Sequence, residues 1–226
     1  MDFLLLGPVE ARERGRMLPL GGAKQRALLA LLLLHAGEVV SSDRLVEELW
    51  AEAGPGGPKA LSVAIARLRR TLGGDHHLIT RAPGYALRIA GDQLDLLRFE
   101  RLAAEGRAAS DPATAAARLH EALALWRGPP LADLAYEPAF QAEIGRLEEL
   151  RIAALEDRVD ADLALGRHAA VAGELEALVA DQPLRERLRG QLMLALYRSG
   201  RQAEALETYR EAVSYTHLTL PTNSRV

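Results

Sequence analysis

Residues 58–72, PKALSVAIARLRRTL, place basic side chains at a spacing suited to one kind of chemistry. Read as a helix, they put Lys59, Val63, Arg67 and Arg70 on one stripe, with Ser62 and Arg69 on its flank. The residues beside them, Ala60, Ala64 and Ala66, are small, so this face has low relief. A guanidinium fork matches a guanine edge or a phosphate bidentately, and a low face lets a helix sit deep in a DNA major groove. Leu61, Ile65, Leu68 and Leu72 form the opposite stripe, at i, i+4, i+7 and i+11, the pattern of a face turned to a core. Arg81 is a second candidate. It stands at the tip of a predicted hairpin, where it could reach a minor groove or a phosphate. A plain surface helix can carry the same charges, so its neighbours decide the reading.

Those neighbours have clear local signals. Residues 3–11 are apolar and broken by Gly7-Pro8; with residues 17–20 they predict short strands joined by a turn. Residues 24–36 predict a strong helix stopped by Gly37. Ser41-Ser42-Asp43 offers an N-cap to a helix over 44–52, and GPGGP at 54–58 a loop. Beyond the basic helix, Gly73-Gly74 stops the chain. Residues 78–80 and 85–89 then predict strands around Arg81-Ala82-Pro83-Gly84, with Pro83-Gly84 at the centre of a type II turn. Strands, three helices and a hairpin in this order make a winged helix-turn-helix plan, with the recognition helix last and the wing after it.

From about residue 95 the texture is helical only. Helices are predicted over 96–109, 112–126, 137–165, 168–180, 185–199 and 203–212. Leu163, Gly166, Arg167 and Ala169 recur as Tyr197, Gly200, Arg201 and Ala203. Leu175 and Tyr209 keep the same offset, which is about the 34-residue period of tetratricopeptide-type helical hairpins. Residues 213–222, VSYTHLTLPT, leave this texture abruptly and read like a translated sequencing adapter, so 213–226 is expected to be a non-native tail.

Charge follows the same division. Residues 1–92 carry twelve Lys/Arg against ten Asp/Glu, and residues 93–226 carry sixteen against twenty-one. The basic excess thus lies with the candidate recognition helix. The absence of cysteine removes disulfides, thiolate catalysis and Cys-based zinc sites. The apolar run 27–34 is too short to span a bilayer, and Met1-Asp2 does not open like a signal peptide. Gly21-Gly22-Ala23-Lys24 lacks the hydroxyl residue after its lysine and the upstream glycine that a phosphate loop needs. His76-His77 has no companion ligands at metal spacing. Glu47-Glu48 and Glu148-Glu149 point in different directions on their helices, which suits solvated faces rather than acid–base pairs.

The residues also carry a family resemblance. LGPVEA, LGGAKQRALLALLLLHAGEVVS, DRLVEELW, AIARLRRTLG and TRAPGYALRI resemble an OmpR-type winged helix. LDLLRFERLAAEGR, ALALWRGPPLADL, LEELRIAALEDRVDADLALGRH and LRGQLMLALYRSGRQAEAL resemble the bacterial transcriptional activator domain. That order is similar to SARP-type transcriptional activators, the actinobacterial regulators of antibiotic and other secondary-metabolite gene clusters. The resemblance implies a mainly α chain: an α+β winged helix-turn-helix over 1–92, then an all-α, tetratricopeptide-like helical-repeat domain over 93–212. It implies binding to double-stranded DNA at tandem direct repeats, self-association on that DNA, contact with RNA polymerase and activation of transcription. The setting it implies is the cytoplasm, at the nucleoid, with no membrane partner, cofactor, metal or enzyme activity. By the winged-helix pattern Arg67 and Val63 face bases, Arg69 and Ser62 face phosphates and Arg81 faces the minor groove, with Lys59 and Arg70 on the same basic face. Lys59, Ser62, Ala64 and Ala66 stand where relatives often carry larger polar or aromatic residues, a departure that bears on operator sequence. Two other expectations stand beside this one: the N-terminal piece of a larger ATPase-containing regulator, and a helical-repeat scaffold whose winged helix meets only proteins.

Overall fold

Residues 27–33 are buried without interruption along helix α1 (Ala23–Leu34), so the strongest apolar run of the chain is a helix enclosed on all sides. The elements around it are those that enclose it. In this computed structural model, which describes residues 1–74 and 76–218 and side chains as far as Glu211, β1 (Asp2–Leu4), β2 (Glu10–Glu13) and β3 (Arg16–Met17) form an antiparallel sheet in that order. After α1 come β4 (Val40–Ser41), α2 (Ser42–Trp50), a 3₁₀ segment (Ala51–Gly56) and α3 (Gly57–Thr71). The wing is β5 (Leu78–Arg81) and β6 (Gly84–Leu87), with β4 pairing on the far side of β6. The Ser41 hydroxyl accepts the Arg44 amide at 3.2 Å, the N-cap expected from the sequence.

The wing turn differs from its expected form. Gly84 is not at positive φ. It lies within β6 as the register partner of Arg81, and the Ala82–Pro83 peptide is cis. Glycine is needed there for another reason: a Cβ would stand 1.9 Å from the Val40 carbonyl oxygen, so only a bare backbone lets β6 close on β4.

The helical remainder runs through α4 (Asp95–Ala108), α5 (Pro112–Leu123), α6 (Gln141–Ala164), α7 (His168–Asp181), α8 (Glu186–Arg198) and α9 (Gln202–Leu218). Three of these differ from the expected spans, α9 by running to Leu218, past the end expected at Ala212. α5 stops at Leu123, and α6 begins at Gln141 after a separate 3₁₀ turn, Pro138–Phe140, initiated by the proline. The internal echo is a structural repeat. Gly166 and Gly200 both take left-handed φ, at 78° and 82°. The amide after each reaches back to the same relative carbonyl: Arg167 to Asp162 at 3.0 Å, Arg201 to Leu196 at 2.9 Å. Leu163, Ala172 and Leu175 of the first hairpin are buried in a core with Leu188, Leu192, Ala195 and Leu196 of α8. Their counterparts Tyr197, Leu206 and Tyr209 are exposed. The tail expected at 213–226 lies outside the residues whose side chains are described.

Packing gathers the chain into two units, Met1–Leu102 with Glu121–Arg151, and Ala103–His120 with Ile152 onward. The compositional break at 92/93 therefore falls inside the first unit. The reason is Asp95, the first residue of α4, which is 2% exposed. Its carboxylate accepts the buried amides of Leu5 at 2.8 Å and Leu6 at 3.0 Å. Arg127 stands 3.7 Å away and also pairs with Glu10 at 2.7 Å, while its own amide donates to the Leu6 carbonyl at 2.8 Å. Burial pushes the Asp95 carboxyl above the ordinary carboxylate range, against the lowering effect of the two amides and of Arg127.

Asp95→Ala orphans two buried amides and should cost about 2–5 kcal/mol in urea unfolding. A fragment of residues 1–92, which lacks this acceptor, should melt well below one of residues 1–151. The raised native value means the folded chain keeps the Asp95 proton to higher pH than the unfolded chain does. Stability from this group therefore falls as pH rises from the ordinary carboxylate range through the native value. The stability gap between wild type and Asp95→Asn should narrow over that interval.

Candidate nucleic-acid interface

Helix α3 is held by one face. Leu61, Ile65, Leu68 and Leu72 are each at most 2% exposed, as their spacing predicts. Ala64, read from the sequence only as a small neighbour of the basic stripe, is buried too, and its carbonyl accepts the Gln25 amide at 2.9 Å. That hydrogen bond ties the start of α1 to the middle of α3. The opposite face of α3 presents Lys59, Ser62, Val63, Ala66, Arg67 and Arg70, all exposed.

The arginines and lysines of this region divide into two kinds. The side chains of Arg67, Lys59 and Arg81 make no hydrogen bond or ion pair among the described residues. Arg70 has one long bond, from Nε to the Ala66 carbonyl at 3.4 Å. Arg69 is half-buried and engaged: Nε donates to the Leu78 carbonyl at 3.1 Å and a terminal nitrogen donates to Thr80 Oγ1 at 2.5 Å. Arg69, expected to face phosphate, thus joins α3 to β5. Ser62, expected in the same role, donates its hydroxyl to the Pro58 carbonyl at 2.9 Å, one turn back in the helix. The wing is pinned at a second point, where the Ser42 amide donates to the Pro83 carbonyl at 3.2 Å. Arg81 is exposed at the end of the hairpin so fixed.

Beside α3 lies a groove of about 1220 Å³. One wall is Lys59, Val63, Arg67 and Arg70; the other is the segment from Pro19 to Gln25 that opens α1. Lys24 stands in a glycine-rich setting that fails as a phosphate loop. The groove brings it opposite the basic face of α3 instead. No local signal could have shown this, since the two walls are brought together by long-range packing that includes the Gln25–Ala64 hydrogen bond. A concave wall of exposed cations with a shallow alanine-lined ridge suits a polyanion with a regular shape.

The comparisons with known proteins bear on this geometry. Residues 94–222 match the family model for the bacterial transcriptional activator domain, and residues 18–87 match that for the C-terminal part of transcriptional regulatory proteins. The chain is 39% identical to the regulatory protein DnrI of Streptomyces peucetius, over 92% of this chain and 82% of that one. The chain belongs to the SARP-type family of transcriptional regulators. Within that family it is also 43% identical to the regulatory protein AfsR of Streptomyces griseus, over 93% of this chain but only 22% of AfsR. The chain therefore spans about a fifth of that larger relative. A solved structure of Mycobacterium tuberculosis EmbR, in complex with a low affinity phosphopeptide, superposes with a TM-score of 0.89 at 36% identity, covering 97% of this chain and 60% of EmbR. The SARP-type fold is the one described above: a winged helix-turn-helix followed by a helical activator domain. No described helix is long and apolar enough to cross a membrane.

The role of Arg69 can be measured. Arg69→Ala removes two hydrogen bonds between α3 and the wing and should cost about 1–2 kcal/mol. Amide exchange in β5 and β6 should accelerate more than in α1. Gly84→Ala should disrupt the same sheet through the Val40 clash, seen as lost protection of the β4–β6 pairing.

Proposed function

We propose that this protein is a sequence-specific DNA-binding activator of transcription. The observation that carries this reading is the set Lys59, Arg67 and Arg81, exposed on the recognition helix and wing without protein partners, while neighbouring Arg69 is used to fix the wing. Cations left unpaired on a rigid scaffold are available to phosphates and base edges at little reorganisation cost. In this reading α3 enters the major groove with Arg67 and Val63 toward bases. Lys59, Ser62 and Arg70 lie along the backbone, and Arg81 reaches the minor groove. Arg69 acts on DNA chiefly through the wing it positions.

We assign DNA reading to residues 1–92 and activation to residues 93–212. Outside the loop 131–140 the second part still carries an acidic excess, which would repel phosphate, and stacked helical hairpins offer protein-binding surfaces. The activator part orders two protomers on tandem direct repeats and meets RNA polymerase. Direct repeats call for a head-to-tail contact rather than a two-fold one. The family resemblance of the motifs supports a secondary-metabolite gene cluster as the target, and a cytoplasmic, nucleoid-associated protein.

Selection of bound sites from random duplexes, at stated salt, tests the reading. A recurring motif in tandem direct repeat is expected; recovery of no motif would count against it. Arg67→Ala should relax preference at one base position by about 1–3 kcal/mol. Truncation after residue 151, which keeps Asp95 and Arg127 with the strand they hold, should leave single-site binding but abolish cooperativity between repeats and transcription in vitro.

A further inference from the structure

The loop over residues 131–140 is anchored to the first unit at many points although its apex is exposed. Leu131 is a buried leucine in the left-handed region, at φ 52°, a conformation that a branched side chain adopts only when its surroundings impose it. The imposition is visible. The Leu131 amide donates to the Leu5 carbonyl at 3.0 Å and the Leu134 amide to the Leu131 carbonyl at 2.7 Å. Leu134 and Phe140 are buried at 1% and 0%. Asp133 accepts the Val9 amide at 2.9 Å and pairs with Arg26 of α1. Gln141 donates to the Ala135 carbonyl at 2.5 Å. Yet at the apex of this braced loop Tyr136 is 100% exposed. Its neighbour Glu137 holds Lys24 at 3.3 Å, and Lys24 lines the groove opposite Arg67 and Arg70.

A fully exposed tyrosine contributes nothing to folding by burial. A loop that spends backbone strain and buried anchors to hold one in place fits a contact surface. We propose that the loop forms the outer rim of the DNA-binding surface, with Tyr136 and Lys24 meeting the phosphodiester backbone beside the recognition helix. This rests on the DNA-binding reading above. Tyrosine hydroxyls and lysines are common partners of phosphate and sugar, which position a protein without reading sequence. The two acids of the loop do not oppose this, because Asp133 and Glu137 are both paired with cations of α1. Glu137 has a further consequence: it shares the Lys24 charge, so the phosphate must compete for it. The loop would in this way set affinity without touching base preference.

The test uses the full chain and duplexes carrying the selected site. Tyr136→Ala should weaken binding by about five- to tenfold on selected and random duplexes alike, leaving the preferred motif unchanged. Its thermal midpoint should equal that of wild type, since the side chain packs against nothing. Lys24→Ala should also weaken binding and flatten the salt slope by about one phosphate contact, whereas Glu137→Gln should strengthen binding and steepen it. In Lys24→Ala, the Glu137→Gln change should have no further effect. Unchanged DNA binding by Tyr136→Ala overturns the proposal; if transcription with polymerase then falls, the loop is a polymerase contact instead. An unchanged salt slope in both Lys24→Ala and Glu137→Gln overturns the role of Lys24. A wild-type chain that binds no duplex at all overturns the DNA-binding reading and this proposal together.

Discussion

One carboxylate organises the first unit of this protein. Asp95 accepts two consecutive amides of the N-terminal strand segment from a site with almost no solvent. Two adjacent buried amides cannot both be left unpaired, so the strand and the start of α4 must fold together. Arg127 completes the arrangement by neutralising part of the charge and tying the segment after α5 to the same strand through its own amide. That segment then turns at Leu131 and runs against the start of α1. The recognition helix is therefore supported by chain from well beyond residue 92, although none of that chain belongs to the winged-helix plan.

The same economy governs the basic residues. A surface guanidinium has several donors, and its use depends on what lies within reach. Arg69 finds a carbonyl and a threonine hydroxyl on the wing, so its donors fix an angle between two elements. Arg67, two residues earlier, is exposed, and its side chain makes no hydrogen bond or ion pair among the described residues. Two neighbouring arginines of one helix thus differ in use, one fixing the wing and the other left exposed.

The helical hairpins show how a repeat can keep its backbone and change its surface. The glycine turn at Gly166 and its copy at Gly200 have the same conformation, set by the same hydrogen bond. Leucines and an alanine face α8 in the first copy, and tyrosines with a leucine face outward in the second. Backbone geometry is set within each repeat, but burial depends on what stacks next to it.

Local physics settled much of this protein in its sequence. The unbroken apolar run of α1, the Ser41 cap, the core stripe of α3 and the paired glycines of the repeat each act over a few residues, so their spacing carried the helices, the winged-helix order and the hairpin period. The exposed basic face of α3 followed from the same spacing. Long-range contacts decided the rest. Nothing near Asp95 in the chain indicates that it will cap Leu5 and Leu6. Arg67 and Arg69 look alike until β5 is folded beside one of them. Gly84 signals a turn locally, while its real constraint is the Val40 carbonyl across the sheet. Lys24 became part of the groove only when Gln25 met the backbone of Ala64. In each case the deciding partner is distant in sequence, and a hydrogen bond to a distant partner leaves no periodicity for the sequence to display.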